Sequence, residues 1–119
     1  MAPPSPTSPI VCVRDLFFRA KIVEVAKTMN ISLTIISRLE EATPTSLLLL
    51  DVESVSMEEI HSCVKHFPKT KIVGFLSHVN STLRAEAEAA GIRALPKSLF
   101  FQRLPEILKG TFPSHEARV

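Results

Sequence analysis

Apolar positions along the chain change period in a regular way. Ile10-Val11-Cys12-Val13 is a short β-branched run closed by Arg14 and Asp15, which predicts a first strand. Phe18, Ile22, Val25, Ala26 and Met29 then recur at spacings of three and four with Lys21, Glu24 and Lys27 between them. That is an amphipathic helix laid on a sheet, with Asn30 as its stop. Ile31 to Ile36 is again rich in β-branched residues and predicts a second strand, and Arg38 to Ala42 is polar enough for a loop or a short helix. Ser46-Leu47-Leu48-Leu49-Leu50 runs straight into Asp51, the pattern of a strand buried on both faces. Ser56 and Glu59 form a capping-box pattern ahead of the stripe Met57, Ile60 and Val64, and Phe67-Pro68 ends that helix. Lys71 to Leu76 predicts a fourth strand closing at Ser77-His78. Asn80 or Ser81 can cap a helix to Ala90 with Gly91 as its stop, and Ile92 to Leu95 is a fifth, short strand. Ser98 opens a last helix carrying Leu99, Phe100, Leu104, Ile107 and Leu108. Pro105 inside it would remove a hydrogen bond and clash one turn back, so a kink or break is expected before it.

Strands alternating with helices in a (βα)5 pattern, joined by right-handed crossovers, predict an α/β, doubly wound, five-stranded parallel sheet in a single domain. A strand order of 2-1-3-4-5 would bring the ends of the first and third strands, Asp15 and Asp51, beside the switch point where ligands collect. The proline-rich residues 1–8 read as an extended, disordered lead-in, residues 9–110 as the domain and residues 111–119 as a loose tail.

Composition narrows the function classes. With 119 residues, 45% of them hydrophobic, the chain suffices for one core and not for two ordinary domains. Fourteen Lys and Arg against twelve Asp and Glu leave a charge of +2, which gives no basis for a nucleic-acid or membrane surface. No apolar run approaches a membrane span and no secretion signal is visible; Cys12 and Cys63 match no metal spacing and read as buried, reduced thiols, so a cytoplasmic location is expected. With only Gly74, Gly91 and Gly110 available, a glycine-rich phosphate loop cannot form. His78 is a weak candidate proton carrier, having no visible carboxylate partner.

Asp15, Asp51, Ser77 and Lys97 thus fall at equivalent edges of one sheet, after the first, third, fourth and fifth strands. This set resembles the receiver domain of two-component response regulators, the flavodoxin-like module of single-domain chemotaxis regulators, over roughly residues 9–109. The resemblance implies a phosphoacceptor at Asp51, Mg²⁺ held by Asp15, Asp51 and the backbone carbonyl of Glu53, and phosphoryl oxygens bound by Ser77 and Lys97. It also implies protein partners, a histidine kinase or a downstream regulator, and possible dimerisation through the family's helix 4, strand 5 and helix 5. In physical terms, a divalent ion, an ammonium and a hydroxyl together can neutralise the oxygens transferred to a carboxylate.

The departures from that family pattern point to an atypical or pseudo-receiver. Arg14 stands where receivers carry the first of two adjacent acids, a cation that would weaken or abolish Mg²⁺ binding. The loop Val52-Glu53-Ser54-Val55-Ser56 lacks the family's Met-Pro and later Gly, Ser98 replaces the Pro after the lysine, and Ala94 stands at the aromatic switch position. The expected function is therefore a non-enzymatic signalling module acting by protein contact, independent of phosphorylation, with Arg14 paired to Asp51. The alternatives are a working Mg²⁺-dependent phosphoacceptor and, less favoured, a small flavodoxin-like ligand binder or enzyme. The neighbouring phenylalanines Phe17-Phe18 and Phe100-Phe101 suggest that one of each pair turns outward, and an outward Phe100 or Phe101 would favour self-association.

Overall fold

The computed structural model describes residues 8–77 and 79–112; most of the lead-in, His78 and the tail from residue 113 lie outside them. Strands β1 (Ile10–Cys12), β2 (Thr34–Ile35), β3 (Leu47–Asp51), β4 (Lys71–Leu76) and β5 (Arg93–Pro96) form one sheet in the order β2-β1-β3-β4-β5. Every neighbouring pair is parallel. Helices α1 (Leu16–Thr28), α2 (Met57–His66), α3 (Ser81–Ala89), α4 (Lys97–Gln102) and α5 (Leu104–Lys109) cover it. This is the doubly wound, flavodoxin-like arrangement that the strand and helix pattern predicts.

Alternation along the strands builds two cores. Val11, Leu49, Val73, Phe75 and Leu95 point to the face covered by α1, α4 and α5, while Cys12, Leu48, Leu50, Ile72 and Ala94 point to the face covered by α2 and α3. The central β3 is buried from Leu47 to Leu50, as a strand sandwiched between helix layers must be. The capping box at Ser56 and Glu59 forms in both directions, at 3.1 and 2.8 Å, and opens α2 where the sequence places it. Among the described residues no helix is long and apolar enough to cross a membrane.

Two local features differ from the sequence pattern, at the second strand and after residue 110, and two follow it, in the second crossover and before Pro105. The second strand shrinks to two residues because Asn30 takes a left-handed φ of 58° and the amide of Ile31 bonds back to Ala26 O at 2.9 Å, so the chain there is still closing α1. The second crossover has no α-helix, only a 3-10 turn over Leu39–Glu41, its start held by the Glu41 carboxylate on the amides of Ser37 and Arg38, both at 2.9 Å. The last helix breaks at Arg103, and Pro105 sits in the first turn of α5, where its missing N–H costs nothing. The domain also continues beyond residue 110: Phe112 is 4% exposed, packs in the α5 core between the guanidiniums of Arg93 and Arg103, and receives the Lys71 ammonium on its carbonyl. Of the expected loose tail, Thr111 and Phe112 therefore belong to the folded unit.

Candidate functional site at the carboxyl edge of the sheet

The loops after β1, β3, β4 and β5 meet over the carboxyl ends of the strands, and each expected site residue is found there with a partner from this chain. Asp15 is the N-cap of α1: its Oδ1 accepts from the amides of Phe17 at 2.9 Å and Phe18 at 3.1 Å. That is the role a carboxylate takes at a helix N-terminus, where free N–H groups and the helix dipole favour negative charge. Asp51 ends β3 half-buried, its Oδ1 accepting from the Glu53 amide at 3.1 Å. Burial pushes its pKa up, the Glu53 amide draws it down, the Glu53 charge pushes it up, and Lys97 and Asp15 act weakly in opposite senses.

Glu53 takes a part that sequence reasoning gave only to its backbone. Its carboxylate reaches across to the next loop and accepts from the Ser77 amide and from the Asn80 side-chain amide, both at 3.2 Å. Asn80 at the same time accepts from the Leu83 amide at 3.4 Å, so the residue expected only as a helix cap also joins two loops. The Ser77 hydroxyl accepts from Val79 N at 3.4 Å. Lys97 lies with its ammonium 4.7 Å from the centre of the Phe18 ring.

Arg14 does not pair with Asp51. Among the described residues the ion pairs are Arg38–Glu40, Arg93–Glu88 and Arg103–Glu106. Strand alternation explains the separation: Asp51 follows Leu49 onto the α1 face, whereas exposed Arg14 follows Cys12, whose thiol feels its charge, toward the α2 face. Ala94, at the switch position, is fully buried; its carbonyl accepts from Arg84 Nε at 3.0 Å and its amide donates to Glu88 at 2.7 Å. Phe101 is not turned outward either, being stacked on Phe18 at 5.4 Å and tilted on Phe75 at 5.3 Å. The outward phenylalanine is Phe17, 63% exposed.

As a divalent-cation cradle this donor set is thin. Hard Mg²⁺ needs several oxygens converging on one point. Here one oxygen of Asp15 is engaged by two amides, the Glu53 carboxylate is turned to the neighbouring loop, and among the described residues no three His, Cys, Asp or Glu side chains are grouped to hold a metal.

No protein-family model and no curated protein matches the sequence. Solved structures do match the fold: a response regulator from Thermotoga maritima superposes with a TM-score of 0.68 at 14% identity, over 87% of this chain and 98% of that one. The chain has the receiver fold. A LuxR family DNA-binding response regulator from Silicibacter pomeroyi agrees, with a TM-score of 0.66, 17% identity and coverage of 89% and 97%. In the present chain the second crossover holds a 3-10 turn and the last helix is broken. The face corresponding to the family's helix 4, strand 5 and helix 5 is built here by α3, β5 and the α4–α5 pair.

Proposed function

We propose that this chain is a receiver-fold signalling module that acts by protein contact, without enzymatic activity and without phosphoryl transfer at Asp51. What carries this reading is that the groups that would handle a metal and a phosphoryl group are already engaged within the chain. Asp15 caps α1, the Glu53 carboxylate ties the loop after β3 to the Ser77 amide, and Lys97 rests on Phe18. A phosphoryl group arriving at Asp51 would have to compete with these contacts, and the nearby Asp15 and Glu53 charges would oppose it. The thin donor set offers little compensating Mg²⁺. Buried Ala94 has no ring to report a change of state by swinging between rotamers. Partners would be proteins of a signalling pathway, met in the cytoplasm, with binding set by their abundance.

The test is an amide NMR titration with Mg²⁺ and then beryllofluoride, which imitates an aspartyl phosphate, with Asp51→Ala as control. The expected outcome is no saturable response at millimolar Mg²⁺ and none to beryllofluoride. Mg²⁺ shifts at Asp15 and Asp51, followed by beryllofluoride shifts that reach Ser77 and Lys97 and vanish in the control, would establish a phosphoacceptor instead.

A further inference from the structure

The second crossover leaves one flank of α2 uncovered. Helix α2 has 10 residues and runs for about 15 Å, whereas the 3-10 turn beside it has 3 residues and rises only about 6 Å. Between them lies a groove of about 560 Å³. Its apolar base comes from Leu39 and Ala42 on the turn side and from Cys63 and Phe67 on α2. Leu39 and Cys63 are buried in the core below, and Ala42 and Phe67 are half-buried at its border. A concavity of this volume, with an apolar base and a few polar groups, has the form of a small-molecule site.

The charged groups that line it are carboxylates. Glu40, Glu58 and Glu59 face the groove, and among the described residues no Lys or Arg does. Rows at i and i+4 along α2 put Glu58 with Ser62 and His66, and Glu59 with Cys63 and Phe67, so both acids stand at one end of the apolar base. Glu58 belongs to none of the ion pairs among the described residues. Glu59 spends Oε1 on the Ser56 amide at 2.8 Å and keeps Oε2. His66, at the other end, donates from Nδ1 to the Ser62 carbonyl at 2.8 Å.

The cations nearby do not cancel this charge. Arg38 is taken up by Glu40. Lys65 follows Glu58 by seven residues and stands on its outer flank, beyond the lining, and Lys69 comes only after Phe67-Pro68, at the end away from the two acids. Cys12, in the same core cluster as Cys63, registers the balance on this face. Burial is the main reason its thiol is pushed up to about 11, but Glu59 and Glu41 each push it further than Arg14 draws it down. Two copies related by a two-fold axis through the groove would set these carboxylates against each other, which disfavours a second copy as the occupant.

We propose that this groove binds a small organic cation, an ammonium on an apolar body, with the body on Leu39, Ala42, Cys63 and Phe67 and the ammonium at the Glu58–Glu59 end. The site lies on α2, apart from the crevice at Asp51, and adds ligand binding to the protein-contact reading without depending on it. The probe is phenethylammonium, titrated into the full chain and mapped by amide NMR beside two molecules of similar size, neutral phenethyl alcohol and anionic hydrocinnamate. Saturable shifts centred on Leu39, Ser56, Glu59 and Cys63 are expected for the ammonium, with an affinity at least about tenfold above that of either other probe. Replacing both acids, Glu58→Gln with Glu59→Gln, keeps the capping box, which accepts Gln, and should bring the ammonium down to the affinity of the alcohol. Ser62→Phe places a ring in the groove from an exposed helix position and should abolish binding. Thermal melts report whether each variant keeps its fold, and the Gln pair decides if Ser62→Phe unfolds. Absence of saturable binding, shifts centred elsewhere, equal binding of the alcohol or the anion, or an affinity unchanged in the Gln pair overturns the proposal. So does a chain dimer in sedimentation that Ser62→Phe dissolves, which would give the groove to a second copy. A beryllofluoride response with ammonium binding intact overturns only the phosphorylation-independent reading; silence to beryllofluoride with no ammonium binding overturns only this site.

Discussion

Gly74 offers a direct test of how the site is supported. It sits in the middle of β4, paired with Leu50 on one side and Ala94 on the other, and no side chain stands between it and the turn that follows Asp51. A Cβ built there would lie 2.5 Å from Val52 Cγ2 and 3.0 Å from Leu50 O. The first contact is far inside van der Waals range, and Val52 is fully buried, so its methyl has no solvent to move into. The second neighbour is backbone of the central strand and moves even less. Gly74→Ala is therefore an overpacking change, expected to cost about 1–3 kcal/mol. For a domain of this size that corresponds to a melting temperature lowered by roughly 5–15 °C. Val52→Ala alone removes two buried methyl groups and costs about 2 kcal/mol, but it also removes the clash. The double variant should then be more stable than the sum of the singles predicts, by about 1 kcal/mol, with Leu50 O keeping the rescue incomplete. Because Val52 and Glu53 share one 3-10 turn, displacing Val52 should also loosen the Glu53 bond to the Ser77 amide, read as faster hydrogen exchange at Ser77. Urea melts of the four proteins with exchange at Ser77 are the assay. Stability of Gly74→Ala within about 0.5 kcal/mol of wild type, or strictly additive singles, would refute the packing reasoning.

Three further outcomes follow from the site. Asp15→Ala should destabilise by about 1 kcal/mol through loss of the α1 cap while Asp15→Asn, which can still accept the two amide bonds, stays close to wild type; equal losses in thermal melts would argue against capping as the main role. Asp51 has a folded pKa above its unfolded one, so its contribution to stability is fully present below the ordinary carboxylate range and is lost as pH rises through the raised value. Asp51→Asn should accordingly gain on wild type as pH increases from about 3 to 7, and a difference that stays flat in urea melts across that range would contradict the desolvated carboxylate. Cys12, pushed up to about 11 by burial and nearby carboxylates, and Cys63, pushed up by burial, should react with a thiol reagent only at the rate of unfolding; fast labelling of the native chain would show that one is reached from solvent.

Much of the fold was legible because it rests on local pattern. The run from Ser46 to Asp51 has the pattern of a strand buried on both faces, the Ser56–Glu59 pair marks the start of α2, and Pro105 calls for a kink or break before it. What was not legible depends on contacts distant in sequence. Ile31 to Ile36 has the composition of a longer strand, but its start still closes α1 through the Ile31 bond to Ala26 O, and only Thr34 and Ile35 come into register with β1. Phe112 looks like part of a polar tail until Arg93, Arg103 and Lys71 gather around it from three other elements. The phenylalanine pairs show the same limit: period alone says that one of each pair turns out, but only the aromatic cluster of Phe18, Phe75, Phe100 and Phe101 decides that it is Phe17.

The candidate site divides in the same way. Strand order brings Asp15, Asp51, Ser77 and Lys97 to one edge, and the sequence could say so because strand ends are fixed by pattern. What each side chain does there is set by competition among nearby donors. A carboxylate two residues before two free helix amides is captured by them, as Asp15 is. Glu53, carried across the crevice by a 3-10 turn, finds the Ser77 amide and Asn80 unpaired by any strand and closes on both. If the chain acts without phosphorylation, as proposed here, this clamp joins the loops after β3 and β4 with a carboxylate that is permanently attached. The joined state then needs no ligand to form. It also needs no phosphatase to be renewed, and its lifetime is set by local unfolding of the crevice instead of by chemistry at Asp51.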